Sequence, residues 1–213
     1  MLRVVGSVKG ATTDEPIVAV TFDDGPDPFY TSRLLDLLRR QGVKATFFVL
    51  ADRVEEYPEL ALRICEEGHE VALHGGDHSR LTECSVSQVV ACIRDGRKRV
   101  EAITGRRIRL FRPPYGAQSA VSYAVARLCG MQVVGWTMDP KDWCDDHGGD
   151  DPSISTSWMT DDVGPGGVVL LHDGRDVIAE RLLKELDVRD IQVVTVSELL
   201  ARGRPVRYRW FNQ

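Results

Sequence analysis

The stretch Val18-Ala19-Val20-Thr21-Phe22-Asp23-Asp24-Gly25-Pro26 determines how the rest of the chain is interpreted. Its apolar, β-branched run predicts a buried strand, and the two carboxylates followed by Gly-Pro predict that the strand ends there. Successive side chains at a strand end point to opposite sides, so Asp23 and Asp24 are expected to have different roles. One can bind a metal ion while the other faces substrate or water. A polar turn without chemistry is the alternative interpretation.

Strand-like and helix-like segments alternate along the rest of the chain, with about seven strands in all. The predicted strands cover residues 17–22, 45–50, 70–73, 109–111, 132–137, 167–171 and 191–196. The longest helix, capped by Ser85 and Gln88, is predicted to run to about residue 104. This alternation predicts a single-domain α/β fold over residues 17–213, after a polar segment at 1–16. A (β/α) barrel and an open doubly wound sheet both fit it.

The composition of the chain limits the kinds of binding partner and the cellular compartment that we expect for the protein. The chain has 213 residues and a formal net charge of −5, which argues against nucleic acid as a partner. No apolar run approaches the roughly 20 residues that a membrane-spanning helix needs. The first ten residues lack the apolar core of a secretory signal, and the five cysteines include no Cys-x-x-Cys pair. These features predict a cytoplasmic protein with reduced thiols.

Polar clusters follow five of the predicted strands. They are Asp23-Asp24, His74–His78, Arg112–Gly116, Asp139–Trp143 and Leu171–Asp173. The carboxyl ends of parallel strands meet at one face of the sheet, where α/β proteins form their sites. We therefore expect the five clusters to form one site.

His74 and His78 are four residues apart, a spacing that allows both imidazoles to bind one cation. Neutral imidazoles suit zinc and related metals, and one carboxylate completes a three-ligand site with positions open to water. Two histidines and a carboxylate also suit Fe(II), so a non-haem iron oxygenase is a rival interpretation. That rival leaves Asp23, Arg112 and His172 without a role.

The clusters resemble, in order, the five motifs of the polysaccharide deacetylases, the NodB-homology enzymes of carbohydrate esterase family 4. The matching segments are Thr21–Pro26, His74-x-x-x-His78, Arg112–Gly116, Asp139-x-x-Asp142-Trp143 and Leu171-His172-Asp173. The resemblance spans about residues 17–200 and implies a deformed, seven-stranded (β/α) barrel. It also implies a divalent metal, most often zinc, with cobalt or nickel as alternatives, and an N-acetylated sugar as the substrate.

The resemblance further implies a role for each site residue. The metal ligands would be Asp24, His74 and His78. Asp23 would be the catalytic base, held by Arg112, and His172 would be the general acid, tuned by Asp142. The substrate-binding positions would be the oxyanion-stabilising N–H of Tyr115 and the acetyl-pocket residues Trp143 and Leu171.

The second motif departs from the family pattern at Gly75, where members usually have serine or threonine. A hydroxyl that would brace the metal-binding loop is therefore missing. The function implied is a metal-dependent removal of N-acetyl groups from an amino sugar. An O-acetyl esterase or a deformylase acting on a small metabolite uses the same kind of site. A non-catalytic sugar-binding relative would need neither Asp23 nor His172.

Overall fold

The computed structural model describes residues 6–142 and 163–208. The strands are β1 (Val8–Thr12), β2 (Ile17–Asp23), β3 (Thr46–Leu50), β4 (Glu70–Gly75), β5 (Leu110–Phe111), β6 (Gln132–Val133), β7 (Val168–His172), β8 (Gln192–Val194) and β9 (Arg204–Arg207). The helices are α1 (Thr31–Gln41), α2 (Ala51–Glu56), α3 (Pro58–Glu66), α4 (Val86–Val90), α5 (Gly96–Thr104), α6 (Ala120–Leu128), α7 (Asp176–Val188) and α8 (Val196–Arg202). A π-helical turn, Ala91–Asp95, joins α4 to α5.

Seven strands form one parallel sheet, in the order β6-β5-β4-β3-β2-β7 with β8 also paired to β2. An isolated parallel bridge between Met138 and Val169 connects the chain after β6 to β7, so the sheet curls back on itself. The predicted deformed (β/α) barrel of seven strands is confirmed, and the open doubly wound sheet is not the architecture. No helix in the described part of the chain combines the length and apolar character needed to cross a membrane.

The strands of the barrel carry two hydrophobic clusters, one on each face, because side chains alternate along a strand. Val18, Val20 and Phe22 of β2 pack in the larger cluster, which includes the buried faces of α1, α3 and α7. Ile17 and Ala19 belong to the inner cluster. The same alternation directs the side chains of Thr21 and Asp23 to the inside of the barrel. Asp23 is the last residue of β2, so its carboxylate lies at the barrel mouth.

A second, two-stranded sheet, formed by β1 and β9, was not predicted from the sequence patterns. Antiparallel pairing joins β1 to β9, with Thr12 opposite Arg204. Residues 8–12 lie in the polar segment predicted at 1–16, because pairing between strands far apart in the sequence leaves no local periodicity. The division into a segment 1–16 and a domain 17–213 stays a prediction.

Candidate active site

A cleft of about 450 Å³ opens at the carboxyl ends of the barrel strands. It is lined by Asp23, Asp24, His74, His78, Arg80, Tyr115, Gly116, Trp136, Asp139, Leu170 and His172. Each of the five polar clusters contributes at least one of these lining residues. The structure therefore brings the clusters together at one face, as expected from parallel strands.

Asp23 is held by a buried ion pair with Arg112. Nη1 of Arg112 donates to Asp23 Oδ1 at 2.6 Å and to Thr21 Oγ1 at 2.8 Å, and Nη2 donates to the Gly135 carbonyl at 2.9 Å. Arg112 is fully buried, and its guanidinium lies 4.0 Å from the ring centroid of Phe48. Burial lowers the pKa of Arg112, while the charge of Asp23 opposes that shift. Arg112 contacts only Oδ1 of Asp23, so Oδ2 of the same carboxylate is available to another partner.

Asp24, His74 and His78 converge on one point. Oδ1 of Asp24 lies 3.3 Å from Nε2 of His74 and 3.1 Å from Nε2 of His78, and the candidate ligand atoms all lie within 4.8 Å of one another. Asp24 has a φ of 75°, so the backbone turns sharply after Asp23 and separates the two carboxylates. Asp77, the extra carboxylate of this loop, is exposed and accepts a hydrogen bond from the Ser79 N–H instead.

The donor set fits a divalent cation. Nδ1 of His74 lies 2.9 Å from the Arg112 carbonyl oxygen, which can only accept, so Nδ1 carries the proton and Nε2 of the neutral ring presents a lone pair. That lone pair faces Asp24 Oδ1, which is buried without a hydrogen-bond donor. Two electron-rich atoms at 3.3 Å are compatible when a cation lies between them. Two imidazoles and one carboxylate form a three-ligand set with open positions.

His172 lies at the other side of the cleft and pairs with a buried carboxylate. Its Nδ1 lies 2.6 Å from Oδ1 of Asp142, and its backbone N–H donates to Oδ2 at 2.7 Å. Burial of the imidazole opposes protonation, but the bond and charge of Asp142 outweigh it and raise the pKa of His172 above its usual value. Nδ1 is therefore the donor to Asp142, and Nε2 remains for the substrate. In the strand pairing, His172 lies directly opposite Asp23.

Of the three predicted substrate-binding residues, one lines the cleft, one lies in the core and one falls outside the described residues. Tyr115 lines the cleft in the left-handed region, with a φ of 59°. Leu170, rather than Leu171, contributes the leucine of the lining, and Leu171 packs in the core cluster behind the sheet. The reason is strand alternation, which points Leu170 and His172 to the same side. Trp143 lies outside the described residues.

Cys92 braces the metal-binding loop and was missed by the sequence patterns. The Gly76 N–H donates to Cys92 Sγ at 3.1 Å, and a Cβ on Gly75 would lie 3.0 Å from that sulfur. Gly75 also has a φ of 124°, a conformation that strongly favours glycine. The missing hydroxyl at position 75 is thus replaced by a thiol supplied from the π-helical turn. The sequence signal was the glycine itself, which allows a neighbour to approach the backbone closely.

Asp173 supports the turn that carries Asp24. Thr31 Oγ1 donates to Asp173 Oδ2, and a Cβ on Gly25 would overlap that oxygen. Burial raises the pKa of the Asp173 carboxyl to about 7. This carboxyl is not among the residues that line the cleft, and it packs against Gly25 in the turn that follows Asp24.

Comparison with known proteins agrees with this arrangement. Residues 10–134 match the polysaccharide deacetylase family. The peptidoglycan-N-acetylmuramic acid deacetylase PdaC of Bacillus subtilis is 36% identical over 92% of this chain and 42% of its own length. The peptidoglycan-N-acetylglucosamine deacetylase of Bacillus cereus is 36% identical over 88% of this chain and 89% of its own length. The chain thus spans less than half of PdaC and most of the Bacillus cereus protein.

Solved structures share the fold. The structure of PdaC matches with a TM-score of 0.79 and 36% identity, covering 89% of this chain and 92% of that chain. A mutant of a carbohydrate esterase family 4 pseudoenzyme, described as having restored enzymatic activity, matches with a TM-score of 0.85 and 25% identity. It covers 94% of this chain and 73% of that chain. The fold therefore occurs both in a deacetylase and in a protein described as a pseudoenzyme.

Proposed function

Because the chain belongs to the polysaccharide deacetylase family, we propose that it is a metal-dependent hydrolase that removes N-acetyl groups from an N-acetylated amino sugar. One observation carries the proposal. A three-ligand cluster, a buried carboxylate and a carboxylate-paired histidine share one cleft, with Asp23 and His172 directly opposite each other in the strand pairing. A sugar-binding protein without activity would need neither of these last two groups.

The metal would be held by Asp24, His74 and His78. Zinc is the proposed ion, with cobalt and nickel as alternatives, since neutral imidazole and carboxylate ligands suit all three. When bound, a divalent cation polarises the amide carbonyl and lowers the pKa of a coordinated water. The hydrogen bond from His74 Nδ1 to the Arg112 carbonyl orients the ring and directs Nε2 to the cation.

Asp23 would accept the proton of the attacking water. Arg112 and Thr21 hold its carboxylate in a single orientation through the buried hydrogen bonds described above. A carboxylate fixed in this way at the mouth of the cleft is suited to act as a general base. Thr21 and Asp23 belong to β2, and Arg112 directly follows β5. The proposed base is therefore positioned by the sheet, which holds side chains more precisely than a loop does.

His172 would return a proton to the departing amine. An amine leaves poorly as an anion, so a donor at the nitrogen lowers the barrier. Burial disfavours the imidazolium, but the bond and charge of Asp142 raise the pKa of His172 and so favour the protonated ring that a general acid requires. The hydrogen bond to Asp142 also engages Nδ1 and leaves Nε2 for the substrate. The N–H of Tyr115 is proposed to stabilise the oxyanion. Leu170, rather than Leu171, is proposed to line the acetyl pocket.

The test is the release of acetate from a panel of N-acetylated sugars, before and after exhaustive chelation. The expected result is activity that disappears with the metal and returns with zinc, cobalt or nickel. Acetyl esters of sugars and N-formyl metabolites in the same panel test the esterase and deformylase alternatives. Full activity in protein shown to contain no metal would contradict the proposal. A rise in melting temperature on adding zinc gives a readout of binding that does not depend on activity.

A cytoplasmic location is proposed separately. Its support is the chemical state of the cysteines, four of which are free in the described part of the chain: Cys65, Cys84, Cys92 and Cys129. Reduced thiols persist in the cytosol. Cell fractionation with a cytoplasmic marker tests the proposal, and recovery of the protein with the cell wall would contradict it.

A further inference from the structure

A second cavity lies at the opposite end of the barrel from the catalytic cleft. Its volume is about 270 Å³, and its lining includes Glu70, the first residue of β4, and Arg109, directly before β5. It therefore opens at the amino ends of the strands, whereas the candidate active site lies at their carboxyl ends. The volume is just below the roughly 300–1,000 Å³ of sites for drug-sized ligands, so it suits an ion or a small molecule.

Positive charge is concentrated in this lining, although the chain as a whole has a formal net charge of −5. The loop between α5 and β5 contributes three arginines, Arg106, Arg107 and Arg109. The backbone of this loop is anchored, because the Ile108 N–H donates to Glu101 Oε1 at 2.9 Å. Glu101 also pairs with Arg97 at 2.8 Å. Within the part of the chain that the structure describes, none of the three loop arginines forms an ion pair with a carboxylate.

The acidic groups of the lining leave this positive charge available. The one carboxylate among the lining residues, Glu70, accepts at Oε2 from Thr46 Oγ1 at 2.8 Å and from the Ser197 N–H at 3.1 Å. Its Oε1 accepts from Ser197 Oγ. Burial raises the pKa of the Cys65 thiol in spite of the nearby charge of Arg106, so the sulfur stays uncharged near neutral pH. The lining therefore favours an added anion.

His69, in the same lining, carries a buried donor that has no acceptor. The side chain is buried, with 7% of the residue exposed, and the Ala45 N–H donates to its Nδ1 at 3.2 Å. Burial and the charge of Lys44 lower the pKa of His69 to about 4, so the ring is neutral and its proton is on Nε2. Nε2 has no hydrogen-bond partner among the described residues. A buried donor of this kind is unfavourable until an acceptor is supplied.

We propose that this cavity binds a phosphate group, held by the three loop arginines and by the Nε2–H of His69. Guanidinium groups bind phosphate oxygens through paired, charge-assisted hydrogen bonds, and the phosphate supplies the acceptor that His69 lacks. Four donor groups exceed what the two oxygens of a carboxylate can serve with the same geometry. Inorganic phosphate and the phosphate of a small phosphorylated molecule share this chemistry. The inference does not depend on the proposed deacetylase activity.

Calorimetric titration of the protein with inorganic phosphate, at constant ionic strength, tests the inference. We expect saturable binding of one phosphate with a dissociation constant of about 1 mM or lower. In Arg107→Gln and in Arg109→Gln, the affinity should fall about tenfold or more, because each variant loses a charge-assisted hydrogen bond. Arg33→Gln is the matched control. Arg33 is an exposed arginine in the first turn of α1, paired with Asp176, and its variant should bind phosphate as the unchanged protein does.

Two results would overturn the inference. One is the absence of phosphate binding to the unchanged protein. The other is an affinity that Arg107→Gln and Arg109→Gln leave unchanged, because phosphate then binds elsewhere, such as at a metal ion in the catalytic cleft. The arginine variants distinguish these sites, since the cleft and the cavity lie at opposite ends of the barrel.

His69→Asn tests the contribution of the imidazole. The amide oxygen of asparagine can replace Nδ1 as the acceptor for the Ala45 N–H, while no atom takes the place of Nε2. We expect weaker phosphate binding and a melting temperature, measured without phosphate, close to that of the unchanged protein. Unchanged phosphate affinity in His69→Asn would show that Nε2 is not a donor to the ligand.

A second titration, with glucose 6-phosphate, distinguishes the two sources of the phosphate group. Tighter binding of the ester than of inorganic phosphate would identify a small phosphorylated molecule as the ligand. Tighter binding of inorganic phosphate would identify the free ion. In either case the arginine variants should weaken the binding, and failure of both compounds to bind would overturn the inference.

Discussion

At the scale of single residues, the site depends on two adjacent carboxylates that have different environments. Asp23 is the last residue of a buried strand and faces Arg112, whereas Asp24 turns away in the left-handed region to face two imidazoles. The strand end makes this separation, because the two side chains leave the backbone on different sides. Asp23 and Asp24 therefore cannot exchange their proposed roles as base and metal ligand.

We expect Asp23→Asn and Asp24→Ala to separate metal binding from turnover. Asp23→Asn should keep the zinc affinity and lose a factor of about 10²–10⁴ in kcat, the usual contribution of a general base. Asp24→Ala should lose zinc affinity and activity together. Zinc titration and acetate release measure both, and Asp77→Asn serves as a control carboxylate from the same loop. Equal loss of zinc affinity in the Asp23 and Asp24 variants would show that the assignment is wrong.

The Asp142–His172 pair predicts a shift of the pH profile. Asp142 raises the pKa of His172, so the proposed general acid keeps its proton to a higher pH, and we expect activity to be lost as pH rises through that raised value. Asp142→Asn removes the charge, and the alkaline limb of kcat/KM moves to lower pH. Asp187→Asn, an exposed carboxylate of α7, should leave the limb in place. An unchanged alkaline limb in Asp142→Asn would exclude His172 as the group that limits activity there.

At the scale of elements, the π-helical turn between α4 and α5 affects the metal-binding loop. A single helix was predicted from the cap at Ser85 to about residue 104, and the capping box is confirmed, but Ala91–Asp95 is wound more loosely. Cys92 lies in this turn, and its sulfur receives the Gly76 N–H. Turns of this type are often found at functional sites. Here the turn supports the loop between His74 and His78.

Removal of the Cys92 thiol should therefore weaken metal binding. Cys92→Ala leaves the Gly76 N–H without its acceptor, and loss of a partner that orients metal ligands lowers affinity by about 10–100-fold. Cys92→Ser retains an acceptor and should lose less. Zinc affinity by competition with a chelator is the measurement. Cys129→Ala, a thiol at the end of α6, is the control, and an unchanged affinity in Cys92→Ala would contradict the role.

At the scale of the whole molecule, the barrel assembles one cleft from distant parts of the chain. Strand pairing aligns Asp23 with His172, and the closing bridge between Met138 and Val169 brings Asp139 and Asp142 to the same mouth. Two aromatic side chains, Tyr115 and Trp136, line the described part of the cleft. We propose that the two stacking platforms found among the described residues serve a short substrate rather than a long polymer.

We therefore expect little gain from substrate length. A protein that binds a polymer uses contacts with remote sugar units to lower the barrier, so kcat/KM increases with each added unit. For this protein, kcat/KM for a tetramer should exceed that for the monomer glycoside of the same sugar by less than about a hundredfold, or about 2.7 kcal/mol. Acetate release from both substrates at equal concentrations is the measurement. A larger increase would assign the protein to polymer-binding deacetylases.

The sequence by itself determined the fold class and six central residues of the candidate site. Short, continuous apolar runs with helical segments between them predict a parallel α/β sheet, and the polar residues that end each run are local features of the sequence. Asp23, Asp24, His74, His78, Arg112 and His172 were all found in this way. The unpredicted elements were α2, β1 and β9, which are short or paired over long distances and so have weak local signals.

Only the tertiary structure decided which of these residues contact each other, which way their side chains point and which neighbours hold them in place. The prediction that Leu171 lines the cleft shows how far sequence patterns reach. Neighbouring residues of β7 face opposite sides of the sheet, so Leu170 lines the cleft and Leu171 packs in the core. The brace from Cys92, the cavity that His69 shares with three arginines and the closure of the barrel join residues that are distant in sequence or depend on local winding. Such contacts are set by packing of the whole chain, and no periodicity in the sequence encodes them.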